Sequence, residues 1–131
     1  MLRYALILSA ALLASQAAAQ QYNCESPQAQ VEMNFCAHQE WKLADALLNV
    51  EYKAARAAMK QIDKDLPTGQ QGAAIALRDA QRAWIKYRDL ACAAEGWQFR
   101  GGSIEPLVVS TCLTTVTESR TEALQALSQT N

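Results

Sequence analysis

At 131 residues, with 12 Lys/Arg against 13 Asp/Glu, the chain has a formal net charge of −1, and dispersed charges of that balance offer no field to draw in nucleic acid or anionic lipid. Half of its residues are hydrophobic and 19% are charged, a composition that suits one domain with a modest core. The sequence has no glycine-rich phosphate loop, no HExxH motif and no Cys/His cluster of metal-ligand spacing, so it points to no cofactor and no metal.

At the N-terminus Arg3 precedes an apolar run over residues 4–14, which is too short to span a bilayer and reads as a secretory signal. Ala17 and Ala19 occupy the small-residue positions before a cleavage point at Gln20. The expected organisation is a signal peptide over 1–19 and a single helical domain over 20–131. An acylated cysteine would follow small residues, whereas Cys24 follows Gln21-Tyr22-Asn23, so no membrane anchor is expected and the product should be periplasmic or secreted. Loss of Arg3 leaves 11 Lys/Arg against 13 acids, a net charge of −2. All four cysteines, Cys24, Cys36, Cys92 and Cys112, fall in the exported part, and an even count there favours two disulfides.

The first helix is expected to start at the N-cap-like Ser26-Pro27 and to run to about Ile62, because no Gly or Pro interrupts that stretch. Two apolar stripes share it, Leu43, Leu47, Val50, Ala54 and Ala57 on one, and Trp41, Leu48, Tyr52, Ala55, Met59 and Ile62 on the other, which suggests contact with two partner elements. Leu66-Pro67-Thr68-Gly69 and Gly72 form the breaker cluster that ends it. A second helix follows over about residues 73–97, with Leu77, Ala80, Trp84, Tyr87, Ala91 and Ala94 as its apolar face. After the break at Gly101-Gly102-Ser103, Pro106 suits the first turn of a third helix reaching about Leu127. Residues 108–117 are rich in β-branched types and could form a strand, but Leu113, Val116/Thr117, Arg120, Leu124 and Leu127 keep a helical period. The fold class is therefore all-α, a small up-down-up three-helix bundle. Cys92 and Cys112 stand ten residues either side of Gly102, so antiparallel helices bring them level, leaving Cys24 for Cys36. The pairing of Cys24 with Cys112 and Cys36 with Cys92 remains the alternative.

The residues Glu32-Met33-Asn34-x-Cys36-Ala37, Asp45, Leu48-Asn49-x-x-Tyr52, Gln81-Arg82-Ala83-Trp84-Ile85-x-Tyr87-Arg88-Asp89-x-x-Cys92, Gly101-Gly102-Ser103, Cys112, Thr117 and Arg120 resemble the lysozyme inhibitor LprI-like N-terminal domain family. The resemblance covers nearly all of residues 20–131. It implies a helical, disulfide-bonded domain that binds a protein partner, lysozyme being the one that the family's namesake inhibits. The namesake is a lipoprotein, and this chain departs from it in lacking an acylation site.

Gln81, Trp84 or Ile85, Arg88 and Cys92 share a helix face. A structural role suits Arg88 best, pairing with Asp45 or bonding to Asn49 across the helix interface. The stripe Asn34, His38, Trp41, Asp45, Asn49 and Tyr52 reads in the same way, as a polar seam padded by aromatics. His38 is the sole histidine available as a general base, and Glu118 and Glu122 at i, i+4 suit a solvated helix face better than carboxylate chemistry. An enzyme is not expected, and a hydrolase centred on His38 ranks behind both a lysozyme inhibitor and a cell-envelope adaptor or assembly factor. For partner binding, the connection over residues 97–106 joins Trp97, Phe99, Arg100 and Ser103 to flexible glycines, a composition able to enter a cleft. The glycines could equally serve only to reverse the chain, with Trp97 and Phe99 capping the core.

Overall fold

The computed structural model describes residues 22–129, and the signal segment expected over 1–19 lies outside the described residues. Three helices follow in chain order, α1 (Gln30–Asp65), α2 (Ala73–Gly96) and α3 (Glu105–Gln129), with a single 3-10 turn, Trp97–Phe99, closing the end of α2. No strand occurs among the described residues. The β-branched stretch of α3 is helical because helical geometry buries Ser110, Cys112, Leu113 and Thr117 against the other helices, and the threonine hydroxyls of α3 are satisfied within it. Thr114, Thr115 and Thr121 donate to the carbonyls of Ser110, Thr111 and Thr117 at 3.1, 3.1 and 2.8 Å, so these residues bond without leaving helical geometry.

Helix α1 begins three residues later than the Ser26-Pro27 signal predicts. Ala29 is the extended residue before it, and the Glu32 carboxylate accepts from the backbone N–H groups of Gln28 at 2.8 Å and Ala29 at 3.2 Å. The reason lies in the Cys24–Cys36 disulfide, whose Cα atoms are 5.5 Å apart across a separation of 12 residues. A continuous helix would hold those positions about 18 Å apart, so the chain must leave helical geometry and fold back over residues 22–29. Cys92–Cys112 is the second bridge, with Cα atoms 5.4 Å apart, and the crossed alternative is thereby excluded.

At the other end of α1, Gly69 (φ 98°) and Gly72 (φ 151°) take backbone angles that L side chains rarely adopt. Glycine cannot cap α2 with a side chain, and the first turn of α2 contains no acid. Asp63 of α1 supplies that function. Its Oδ1 accepts from the N–H groups of Gly72 (2.7 Å) and Ala73 (2.8 Å), and its Oδ2 from that of Ala74 (3.0 Å). Three bonds to orphan donors satisfy the helix start and hold the Asp63 carboxyl below its usual range, with the Gly72 N–H contributing most.

Packing is organised along the seam between α1 and α3, with α2 laid against both. Leu48, Ala55, Leu77 and Leu124 form one buried cluster, joined by Tyr52, Met59, Trp84 and Leu127. Cys92, Cys112 and Leu113 form a second, joined by Trp41, Val109 and Val116. A Cβ placed on Gly96 would lie 2.5 Å from Val109 Cγ2, so glycine is what allows the end of α2 to come so close to α3.

Two expected faces are corrected. On α2 the buried line is Leu77, Gln81, Arg88 and Cys92, while Ala80, Tyr87 and Ala94 point to solvent. The inward face is centred on two polar residues whose partners lie across the bundle, and hydropathy alone rotates it toward Tyr87. On α1 only the stripe containing Leu48 and Ala55 is buried. Leu43, Leu47, Val50, Ala54 and Ala57 are exposed, because α2 and α3 both pack on the other side of the helix. No helix among the described residues is long and apolar enough to cross a membrane.

Candidate binding site

The polar seam and the connection after α2 are the two places where chemistry-bearing side chains meet. In the seam, Arg88 is buried, its side chain only 8% exposed, and its Nη1 donates to Asp45 Oδ1 at 2.8 Å, while Asp45 itself is 37% exposed. The same guanidinium donates from Nε to Asp89 Oδ1 at 2.9 Å and from Nη1 to Thr117 Oγ1 at 3.4 Å. Its carbon lies 5.1 Å from the Trp84 ring centre and 5.7 Å from that of Trp41, a setting in which a planar cation gains from both rings. Asn49 does not reach Arg88. Its amide donates to the Asp45 backbone carbonyl at 2.8 Å and bears on the Asp45 carboxylate at 3.4 Å. Two turns nearer the start of α2, the buried Gln81 Oε1 accepts from Nε of Arg120 on α3 at 3.0 Å, and burial lowers the Arg120 pKa from its usual value. The Arg88 guanidinium thus joins α2 to Asp45 of α1 and Thr117 of α3 through Nη1, with Nε engaged by Asp89.

The connection is different, because its side chains face water and its backbone is tied. Trp97 is 64% exposed, and Phe99, Arg100 and Ser103 are exposed as well. Arg100 lies 4.7 Å from the Trp97 ring centre. Its Nη1 donates to Glu105 Oε1 at 2.8 Å, and the Gly101 N–H donates to Glu105 Oε2 at 2.9 Å. Gly101, at φ 78°, supplies the left-handed step that turns its amide toward that carboxylate. The Gly101 N–H, followed by the Arg100 guanidinium, lowers the Glu105 pKa. On the far side, Asn34 of α1 donates from Nδ2 to the Ser103 carbonyl at 2.9 Å. Trp97 and Arg100 thus form a stacked pair on a turn fastened at both ends, directly after the Cys92–Cys112 bridge.

The sequence singled out Trp97, Phe99, Arg100 and Ser103 but read Asn34 as part of the polar seam and gave Glu105 no role, whereas both fasten this turn. The signal was present in the acid placed just after the glycine pair, at the start of α3, where a carboxylate is stabilised by free N–H groups. His38 rests against Trp41, with ring centres 5.3 Å apart, and no hydrogen bond joins it to an acid among the described residues. No group of three His, Cys, Asp or Glu side chains among the described residues could hold a metal ion.

The family model described as Lysozyme inhibitor LprI matches residues 11–124. Uncharacterized protein R02472 of Rhizobium meliloti (strain 1021) is 44% identical over 108 residues, spanning 80% of this chain and 78% of that protein. The crystal structure of a DUF1311 family protein from Pseudomonas putida KT2440 superposes with a TM-score of 0.67 at 22% identity, covering 83% of this chain and 100% of that one. That last likeness is one of fold.

Proposed function

The chain belongs to the lysozyme inhibitor LprI family, and from that premise we propose that it is exported, binds a protein partner outside the cytoplasm, and inhibits lysozyme by placing the turn over residues 97–105 in the enzyme's cleft. The observation that carries this reading is the fastening of Arg100 and Gly101 to Glu105 beneath an exposed Trp97. A pre-ordered turn loses little freedom on binding, and a large exposed aromatic beside an arginine has the make-up of a binding anchor. A lysozyme cleft holds two carboxylates flanking the scissile bond. Arg100 would exchange the Glu105 carboxylate for one of these, with the Ser103 hydroxyl nearby as a second polar contact. Export is supported by Arg3, the apolar run over 4–14 and Ala17/Ala19, with cleavage before Gln20, and by two disulfides, which persist in an oxidising compartment.

The test is the inhibition constant of the oxidised protein against lysozyme, measured for wild type and for Arg100→Ala with Ser103→Ala. Both residues are exposed, so the double variant should unfold at the wild-type midpoint while inhibiting at least about tenfold more weakly, a loss of about 1.4 kcal/mol. Undiminished inhibition would reduce the turn to a connector. A wild-type protein that holds an envelope partner without inhibiting lysozyme would favour the adaptor reading, which the uncovered stripe of α1 supports.

A further inference from the structure

On α1, Leu43, Leu47, Val50, Ala54 and Ala57 recur at alternating steps of four and three, the 3.5-residue period of a coiled-coil seam. None of the three helices covers it. Leu43 is 72% exposed and Leu47 54%, in a protein whose core-facing leucine on the same helix, Leu48, is buried. Between this stripe and α3 runs an open groove of about 570 Å³, floored by Leu43, Ala44 and Leu47 and bordered by Glu40, Glu118 and Glu122. Every charged residue lining the groove is an acid, and no ion pair among the described residues engages any of the three. Lys42, Lys53 and Lys60 flank the other edge of the stripe, away from α3.

We propose that this groove docks an amphipathic helix of another protein, one that lays large aliphatic side chains at four-three spacing over Leu43 and Leu47 and carries Lys or Arg along the edge facing α3. The seam period selects a helix over an extended segment, since knobs at that spacing fit holes on a facing helix. The unpaired carboxylates select its charge, because a cationic edge neutralises Glu40, Glu118 and Glu122 whereas an acidic one is repelled. A second copy of the chain is the competing occupant. Antiparallel pairing of two stripes sets acidic edge against acidic edge, whereas parallel pairing brings the edge that carries Lys42, Lys53 and Lys60 beside the acids, and the sedimentation arm of the test below separates that dimer from a foreign helix. The docking site lies apart from the residue 97–105 turn and does not depend on lysozyme being the target of that turn.

The probe is a synthetic helix-forming peptide of leucine and lysine with leucines at four-three spacing, titrated by fluorescence anisotropy against the oxidised protein, beside a control with glutamate in place of lysine. The lysine peptide should bind, more weakly as salt rises, and the glutamate peptide should not. Two exposed-site double variants, Leu43→Gln with Leu47→Gln and Glu118→Gln with Glu122→Gln, should each weaken binding at least about tenfold with unchanged thermal unfolding. Equal binding of both peptides, or binding undiminished in either variant, would overturn the proposal. So would a wild-type dimer in sedimentation that dissociates in the Leu43/Leu47 variant, since the groove would then belong to a second copy.

Discussion

The two disulfides close loops of comparable length but stand in opposite surroundings. Their sequence separations, 12 and 20 residues, would make their chain-entropy contributions differ by only about 0.5 kcal/mol. Cys92 and Cys112 are both buried, against Leu113, Trp41, Val109 and Val116. In the other pair Cys36 is buried but Cys24 is exposed, and the segment it tethers is irregular. One crosslink is part of the core, whereas the other ties a non-helical tail to the start of α1. Loop length alone therefore does not rank them, and the packing around the sulfurs does.

Replacing Cys92 and Cys112 together with alanine should give the largest loss, about 2–5 kcal/mol, toward the upper end because it also opens space beneath Trp41 and Val116. The shift in the urea midpoint of the oxidised protein measures it. Arg88→Ala comes next, at roughly 2–3 kcal/mol. It removes the bond to Asp45 and the packing between two indoles, but Asp45 is exposed enough to rehydrate, so the loss stays below that of a fully buried broken pair. Arg88→Lys should recover little, since an ammonium cannot lie flat between two rings. Removing the other bridge by Cys24→Ser with Cys36→Ala should cost under about 2 kcal/mol. Faster amide exchange should stay confined to the start of α1 and the segment before it. Equal losses from the two disulfide variants would show that loop closure, and not burial, sets their worth.

Most of the architecture was legible because the chain is punctuated so sparingly. The Leu66 to Gly72 breakers and the Gly101-Gly102 pair are the only dense interruptions, and each marks a real loop. That punctuation favoured the observed disulfide pairing, since Cys92 and Cys112 are equidistant from the second break, but only the structure excluded the crossed one. What stayed hidden were interactions in which a polar group does what a periodicity rule assigns to an apolar one. The pairing of Arg88 with Asp45 was legible, but the buried line of α2 also runs through Gln81, whose partner Arg120 lies 39 residues away in sequence. The cap of α2 comes from Asp63, nine residues before the first amide it binds. In the connection, the aromatic and cationic residues could be read one by one, but their fastening by Glu105 and Asn34 needed the chain's return at α3.

The bundle also has a consequence for the order in which the chain can fold. Helix α1 packs principally on α3, which runs parallel to it after the whole of α2 has intervened. Contacts between neighbours, such as Asp63 with the start of α2, close short loops and can form while the chain is still incomplete. The contacts of Leu48 and Ala55 with Leu124 span about seventy residues, and loop-closure entropy delays contacts of that range. Until α3 is delivered, the apolar side of α1 that will become the core lies as open as the side that stays bare. A chain emerging N-terminus first therefore presents both stripes of α1 at once, and arrival of its last helix decides which of them water keeps.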